Sequence, residues 1–349
     1  MRAIVLRGPY KIGIEEVPAP EPKGDLIVAS VRAVGICGTD LEIYSGKHPI
    51  TRKLFEEGTL KRLILGHEWA GEVVETGDHI EAVAVGDRIT SETTIPCGKC
   101  FFCSIGRPNL CDHAQEIGIT RDGAMANYIA IPANIIHKLP KKLSFEEGAL
   151  IEPTAIAVHA MDRLAEVDDV GGKLVAIFGD GTIGLLILQL VLKREPKRVV
   201  LFGKSDYKLR IAEELGDVEC INTNVRSKAE VFKRIKEALA PRGADIVIEA
   251  APSCSVIEEV LLAVKKGGTV LVVGLHDVCP VDVNAILFKE LHILSSLSSP
   301  GVWDRAIDMV VRNEINVRAL ISRIVSLKEG VEIIRSRGVS NAVKTLIRP

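Results

Sequence analysis

The sequence has almost no excess of charge of one sign. Its 44 lysine and arginine residues nearly cancel its 46 aspartate and glutamate residues, which leaves a formal net charge of −2 at pH 7. A surface that binds nucleic acid or an anionic membrane carries a marked basic excess, so this balance predicts neither kind of partner. The charged runs are interpreted as solvated faces.

The sequence also lacks a long hydrophobic run. The longest, IGLLILQLVL at residues 183–192, is too short to span a bilayer and directly follows a glycine-rich turn. The N-terminal stretch MRAIVLRGPYKIGIEEV alternates as a strand does and lacks the apolar core and cleavage site of a secretory signal. These absences predict a cytoplasmic protein in which residues 183–192 form a buried helix.

The length and the pattern of the chain predict two domains. A chain of 349 residues is too long for one ordinary core. Up to about residue 150, short strands interrupted by Gly, Pro and Asp are typical of a barrel-like β domain. From about residue 155, apolar strands such as KLVAIFG, RVVLFG, ADIVIEA and TVLVVGL alternate with helical patterns. This alternation predicts a doubly wound α/β domain whose parallel sheet is buried on both faces.

Four of the 8 cysteines lie close together in CGKCFFCSIGRPNLC, with the spacing C-x2-C-x2-C-x7-C. They are Cys97, Cys100, Cys103 and Cys111. Four thiolates on one loop can surround a zinc ion and leave no open position, which predicts a structural site. A redox dithiol and chance clustering are the alternatives. Cys220, Cys254 and Cys279 are expected to be small buried hydrophobic residues.

A second set of metal-ligand residue types is dispersed along the chain. It comprises Cys37 in GICGTD, His67 and Glu68 in LGHEWAG, and Glu152 in ALIEPTAIAVHA. Each residue alone is weak evidence for a metal site, because a single cysteine is usually part of the core and a glutamate before proline can be an acid in the first turn of a helix. Together they are the ligand types of an open, catalytic zinc site.

The run FGDGTIG carries the G-x-G-x-x-G pattern. It follows the strand KLVAIF and opens the helix TIGLLILQLVLK, the context of a dinucleotide-binding turn. The pyrophosphate would lie on the helix N-terminus, where free N–H groups point outward; a purely structural glycine turn is the alternative. The predicted cofactor contacts are Gly179, Gly181, Thr182, Ile183, Gly184 and, further along the chain, Gly274.

With these three features in one order, the sequence resembles the zinc-dependent medium-chain dehydrogenases, the alcohol dehydrogenase superfamily, over nearly its whole length. The segments EPTAIAVHA, CGTDLEIYSGK and GRPNLC are similar to the polyol, sugar, threonine and butanediol enzymes. The resemblance implies a GroES-like catalytic domain over residues 1–154 with a zinc lobe at about 92–114. It also implies a Rossmann NAD(P)-binding domain over 155–290 and a return segment over 291–349 that completes the catalytic domain.

The resemblance implies interconversion of a secondary alcohol and its carbonyl by hydride transfer, with two zinc ions per subunit. The implied ligands of the catalytic zinc are Cys37, His67 and Glu152, with Glu68 as a fourth that exchanges with water or substrate. Asp40 matches the acid that hydrogen-bonds the ligating histidine. Thr39 matches the hydroxyl that carries the alcohol proton away.

Two positions depart from the family pattern or carry no clear role. The relay histidine of the ethanol-type enzymes is absent near Glu42, and His48 is close to that place but out of register. Tyr44 could contact a polyol or could equally be a packing residue. Residues 43–63 and 290–303 are expected to be substrate loops, but they contain no clear hydroxyl-binding set.

The strand tip in VVLFGKSDYKLR bears on the choice of cofactor. NAD-using relatives carry an acid at the end of this strand, and the corresponding position is Gly203. Lys204 and Ser205 could bind a 2′-phosphate, with Arg210 as a helper, which predicts NADP over NAD with dual use open. Asp206 is interpreted as a helix cap.

Two other functions are weighed. One is a zinc-free relative that has lost catalysis and serves as a binding or structural protein, and the other is an enone or quinone reductase of the same fold. Both usually lack the Cys, His and Glu ligands, and this sequence retains all of them. A homodimer or homotetramer is expected, paired through the sheet edge near GTVLVVGL and HILSSLS.

Overall fold

The protein is described from a computed structural model, which covers residues 1–78, 80–276, 278–338 and 341–349. The chain divides into two compact units. The first comprises the described residues of Met1–Ala155, Ser298–Val339 and Lys344–Pro349, and the second those of Ile156–Leu297 and Ser340–Val343. In the described residues no helix has the length and apolar character needed to cross a membrane.

The strands are numbered in chain order. They are β1 (Arg2–Leu6), β2 (Ile12–Glu16), β3 (Leu26–Ile36), β4 (Leu63–Ile64), β5 (Trp69–Thr76), β6 (Arg88–Ser91), β7 (Thr94–Ile95), β8 (Gln115–Glu116), β9 (Tyr128–Pro132), β10 (Ile136–Lys138), β11 (Leu174–Phe178), β12 (Arg198–Gly203), β13 (Glu219–Asn222), β14 (Ala244–Glu249), β15 (Val264–Val272), β16 (His292–Ser295), β17 (Ile321–Ser326) and β18 (Lys344–Arg348).

The helices are α1 (Gly38–Tyr44), α2 (Pro49–Glu56), α3 (Phe101–Ser104), α4 (Phe145–Ala149), α5 (Ile151–Ala165), α6 (Thr182–Leu192), α7 (Asp206–Leu215), α8 (Lys228–Ala238), α9 (Cys254–Ala263), α10 (Val283–Lys289), α11 (Trp303–Val311) and α12 (Leu327–Arg335). Short 3-10 turns occupy Pro108–Leu110, Ala133–Ile135 and Arg318–Leu320.

The first unit is built around a mixed sheet in the order β10-β6-β5-β3-β18-β17, with β9 also paired to β3. Strand β3 runs antiparallel to both β5 and β18. The carboxyl end of β3 therefore lies beside the amino ends of β5 and β18. Apolar side chains fill the core of this unit, among them the fully buried Trp69, whose Nε1 donates to Ser91 Oγ at 3.0 Å.

The second unit holds a parallel sheet in the order β13-β12-β11-β14-β15-β16. The order runs outward in both directions from β11, so the turns after β11 and β14 lie where the winding reverses and where dinucleotides bind in this architecture. The unit extends to Leu297 and not to residue 290, because β16 pairs with β15 as an edge strand.

Two further expectations from the sequence, about residues 43–63 and about Cys254 and Cys279, are also corrected. Residues 43–63 are not a simple loop: they include α2, whose N-terminus is capped by His48 and begins with Pro49, a favoured first helical residue. Cys254 and Cys279 are not buried single residues but form a disulfide with a Cα–Cα distance of 5.2 Å. The spacing of these two cysteines could not reveal the pairing, since it depends on the turns after β14 and β15 meeting in space.

Candidate metal and dinucleotide sites

The segment CGTD forms the N-terminus of α1. Cys37 is the N-cap residue, and its backbone N–H donates to Asp40 Oδ2 at 2.8 Å. The other oxygen of the same carboxylate accepts a hydrogen bond from the backbone N–H of Gly66 at 3.2 Å. The wholly buried Asp40 therefore fixes the segment that carries Cys37 to the segment that carries His67.

His67 and Glu68 directly precede β5, beside the end of β3 that leads into Cys37. One donor atom from each of Cys37, His67 and Glu68 lies within 4.8 Å of the other two. Within the described part of the chain, the buried Nδ1 of His67 has no hydrogen-bond partner. Its distance to Asp40 Oδ1 is 4.0 Å, too long for a hydrogen bond, so the predicted Asp40–His67 hydrogen bond is not formed.

The charges around His67 favour a cation. Burial lowers the pKa of His67, but the side chains of Cys37, Asp40 and Glu152 outweigh it and raise that pKa well above its ordinary value. A thiol, an imidazole and a carboxylate that converge with a buried, unpartnered ring nitrogen among them match the donor set of zinc. These residues therefore fit a zinc ion.

Glu152 lies in the first turn of α5 and is not one of the three clustered donors. Its Oε1 accepts a hydrogen bond from Thr93 Oγ1 at 3.0 Å. Burial raises the pKa of Glu152 to about 7, against an opposing contribution from the charge of His67. Glu152, which was predicted to bind the zinc together with Cys37 and His67, is thus within electrostatic reach of the cluster, and its carboxylate is hydrogen-bonded to a threonine.

Lys344 is a component of this site that the sequence did not predict. Its Nζ donates to Glu68 Oε1 at 2.7 Å and to Glu68 Oε2 at 2.5 Å, and each side chain is 3% exposed. Lys344 is the first residue of β18 and also donates to the Ile36 carbonyl at the end of β3 at 3.3 Å. The available signal was Lys344 among the mostly apolar residues of AVKTLI.

The cysteine lobe brings its four sulfur atoms together. The Sγ atoms of Cys97, Cys100, Cys103 and Cys111 all lie within 4.8 Å of one another. Backbone N–H groups of Cys103 and Asp112 lower the pKa of the Cys100 thiol to about 6, whereas burial raises that of Cys103 to about 12. Four convergent thiols without a disulfide among them fit a four-thiolate zinc site.

In the second unit, the glycine-rich turn connects β11 to α6. Gly179 has a φ of +126°, a conformation that side chains rarely adopt, and Gly181 is the N-cap residue of α6. A Cβ added to Gly181 would meet no described atom within 4 Å, so the space above the helix N-terminus is kept clear. Thr182 and Ile183 open α6 there, and this open N-terminus fits a dinucleotide pyrophosphate.

The turn after β12 differs in one respect from the prediction. Asp206 is the first residue of α7 and not its cap, because Ser205 occupies the N-cap position. The Asp206 carboxylate accepts a hydrogen bond from Asn222 Nδ2 at 2.5 Å. Lys204 and Arg210 are both exposed.

Glu249, at the end of β14, is a buried carboxylate in the second unit that the sequence did not predict. It accepts hydrogen bonds from the backbone N–H groups of Ala251 at 2.6 Å and of Gly274 at 3.0 Å. A Cβ at Gly274 would lie 2.7 Å from Glu249 Oε1, so a larger residue at this position would displace the Glu249 carboxylate. The turn after β15 is thus held by a carboxylate from the neighbouring strand.

Two residues of uncertain role have local structural functions. His48 accepts from the backbone N–H of Thr51 as the cap of α2, and burial lowers the pKa of His48 to about 4. Tyr44 is buried and packs edge-on against Tyr10, with ring centroids 5.3 Å apart. It is therefore a packing residue.

The two units contain different kinds of candidate binding site. The first holds two clusters of metal-donor side chains, and the second holds a glycine-rich turn between a parallel strand and a helix. A dinucleotide-binding sheet and a thiol–imidazole–carboxylate cluster in one chain define the class of zinc-type dehydrogenases.

Comparison with known proteins gives the family. The model of the alcohol dehydrogenase GroES-like domain matches residues 23–141, and the model of the zinc-binding dehydrogenase matches residues 182–312. The chain is 33% identical to D-arabitol-phosphate dehydrogenase of Enterococcus avium, covering 95% of this chain and 92% of the relative. It is 30% identical to sorbitol dehydrogenase of Halalkalibacterium halodurans, covering 100% and 99%.

A solved structure gives the same result for the fold. It is described as a zinc-binding dehydrogenase from Sinorhizobium meliloti 1021 bound to NADP, with a TM-score of 0.89, 34% identity, and coverage of 100% of this chain and 99% of that chain. The chain belongs to the zinc-type alcohol dehydrogenase superfamily. The predicted combination of a GroES-like domain and a Rossmann domain is confirmed.

Proposed function

We propose that the protein is a zinc-dependent NAD(P) oxidoreductase that interconverts a secondary alcohol and its carbonyl, the alcohol being a polyol, a sugar or a small hydroxy compound. The observation that carries this proposal is the convergence of Cys37, His67 and Glu68, whose donor atoms come from two distant segments yet lie within 4.8 Å of one another. A relative that had lost catalysis would have no reason to keep this buried, charged cluster.

The chain's own residues have separable roles. Cys37 and His67, with Glu152 and Glu68, would hold the catalytic zinc, which would supply a Lewis acid that lowers the pKa of an alcohol hydroxyl, and the dinucleotide would supply the hydride acceptor. Thr39, whose Oγ1 lies 3.7 Å from Cys37 Sγ, receives the hydroxyl proton and passes it towards solvent.

Glu68 and the cysteine lobe complete the proposed metal chemistry. Lys344 donates hydrogen bonds to both oxygens of the Glu68 carboxylate. Glu68, the proposed exchangeable ligand, would therefore keep a compensating positive charge beside it when it is not bound to the metal. The cysteine lobe holds the second zinc of each subunit, with no position open to substrate.

The experiment combines zinc analysis with turnover. Purified enzyme should contain two zinc ions per chain and should reduce NADP or NAD with at least one alcohol from a panel of polyols, sugars, threonine and butanediol. Cys37→Ser should lose one zinc and the activity, whereas Cys220→Ser, a half-buried thiol of the second unit, should keep both. One zinc per chain in the wild type, together with no turnover on any alcohol, would refute the proposal.

The predicted preference for NADP over NAD is retained in this proposal. It is supported by the exposed Lys204 and by the absence of an acid at Gly203. The relative of similar fold whose structure contains NADP adds weight to it. The cytoplasmic location also stays a prediction.

A homo-oligomer is part of the proposal. Strand β16 is the edge of the parallel sheet, and Ile293 on it is 44% exposed. Leu287 and Phe288 on the neighbouring α10 are also exposed. An apolar sheet edge of this kind is a site for self-association. Light scattering should give a dimer or tetramer that Phe288→Glu weakens, and a monomeric wild type would contradict this.

A further inference from the structure

The turn that follows β12 contains a carboxylate, although its strand carries no acid. Asp180, the variable residue between the first two glycines of FGDGTIG, reaches this turn from the glycine-rich loop. Its Oδ2 accepts hydrogen bonds from the backbone N–H groups of Lys204 at 2.7 Å and of Ser205 at 2.8 Å. Two hydrogen bonds to one oxygen fix the position of its charge.

Gly203 leaves the space that this carboxylate occupies. A Cβ built on Gly203 would lie 2.7 Å from Asp180 Cβ and 2.8 Å from Asp180 Oδ2. Real Cβ atoms do not approach other atoms so closely, so an acid at position 203 and the observed Asp180 exclude each other. In this chain the negative charge at this turn therefore comes from the glycine-rich loop and not from the end of the strand.

We infer that Asp180 is the residue that discriminates between a 2′-hydroxyl and a 2′-phosphate on the adenosine ribose. This rests on the proposed function, because it assumes that the second unit binds a dinucleotide. In dinucleotide-binding units an acid at the end of the second strand accepts a hydrogen bond from the ribose hydroxyl. A carboxylate has two oxygens with about four acceptor positions, so two backbone bonds leave capacity for that hydroxyl.

The same turn carries an opposing charge. Lys204 is exposed, and its ammonium group on a flexible stem can approach a 2′-phosphate. The fixed carboxylate repels that phosphate and binds the hydroxyl, whereas the mobile ammonium attracts the phosphate. The preference for NADP over NAD is therefore set by Lys204 against Asp180, and both dinucleotides bind.

The test measures binding directly on the zinc-loaded, full-length enzyme. Fluorescence titrations with NADH and with NADPH give a Kd for each in wild type, Asp180→Asn and Lys204→Met. Asp180→Asn keeps an oxygen for the two backbone N–H groups and removes the charge, so it should lower the ratio of Kd for NADPH to Kd for NADH by roughly tenfold. Lys204→Met should raise the same ratio.

Asp206→Asn is the matched control. It removes the same charge from the next turn of chain, where the carboxylate is bonded to Asn222, and should change the ratio less than twofold. Asp180→Ala removes the acceptor as well as the charge. It should weaken both dinucleotides through a looser turn, yet it should still shift the ratio towards NADPH.

Two outcomes would contradict the inference, and a third would contradict the proposed function. If Asp180→Asn weakens NADH and NADPH equally, or leaves the ratio unchanged, Asp180 only supports the turn. If Asp206→Asn shifts the ratio as much as Asp180→Asn does, the effect is one of general charge. If the wild-type enzyme binds neither dinucleotide, the proposed function itself fails, an outcome that differs from binding both with an unaltered ratio.

Discussion

Replacing Lys344 with methionine is the sharpest test of the metal-site geometry. The substitution keeps the length of the side chain but removes the only ammonium that the structure places on Glu68 among the described residues. Both side chains of the pair are 3% exposed, so solvent cannot take over the role of the lost partner. Breaking a buried ion pair by removing one partner costs about 3–5 kcal/mol, and we expect a loss of that size in metal-free protein.

The double-mutant cycle separates the pair from the loss of each side chain. Glu68→Gln alone should also destabilise, because it leaves the Lys344 ammonium buried. The variant with both substitutions should be more stable than the sum of the two losses predicts, by about 1–3 kcal/mol. Lys53→Met, which removes the cation of an exposed pair with Glu57, is the control and should have no measurable effect.

Tryptophan fluorescence during urea unfolding is a suitable assay. The 2 tryptophans of the chain are Trp69 and Trp303. Both are buried in the first unit, so their emission reports the unfolding of the unit that contains the pair. Added zinc should reduce the loss in Lys344→Met, because Glu68 then gains a cation. A loss below about 1 kcal/mol without metal, or an additive cycle, would refute the assigned role of the buried pair.

Three further predictions concern other parts of the chain. Denatured, chelator-treated protein should show six reactive thiols, and eight would contradict the pairing of Cys254 with Cys279. Reduction of this disulfide should destabilise the second unit by up to about 3 kcal/mol. Cys100→Ser should lower the zinc content by one ion, and unchanged content would exclude the lobe as a zinc site. Burial lowers the pKa of His137, but Glu92 and Asp304 outweigh it and raise that pKa, so His137→Gln should lower Tm below about pH 6.5. His137 also stacks on Trp303, so only the pH-dependent part of that difference should vanish as the pH rises through the raised pKa, and a difference that is the same at every pH would contradict the cause.

Local patterns in the sequence predicted the structural features that depend on residues close together in the chain. The glycines of FGDGTIG and the cysteines of the lobe lie within single turns, so their spacing indicated both the backbone conformation and the shared site. The alternation of apolar strands and helices indicated the parallel sheet for the same reason. The helix beginning at Pro49 was missed, although the cap residue and the proline that start it are both local signals.

What the sequence determined by itself is the set of chemical groups: four thiols on one loop, the donors of GICGTD and LGHEWAG, and an open helix N-terminus behind a strand. Only the tertiary structure decided how those groups are charged and positioned. Lys344 reaches Glu68 because β18 pairs with β3, and Asp180 enters the turn after β12 because β11 and β12 are neighbours. Cys254 meets Cys279 because their turns follow adjacent strands. Contacts between distant segments depend on strand order and register, which a single sequence does not encode as a local pattern.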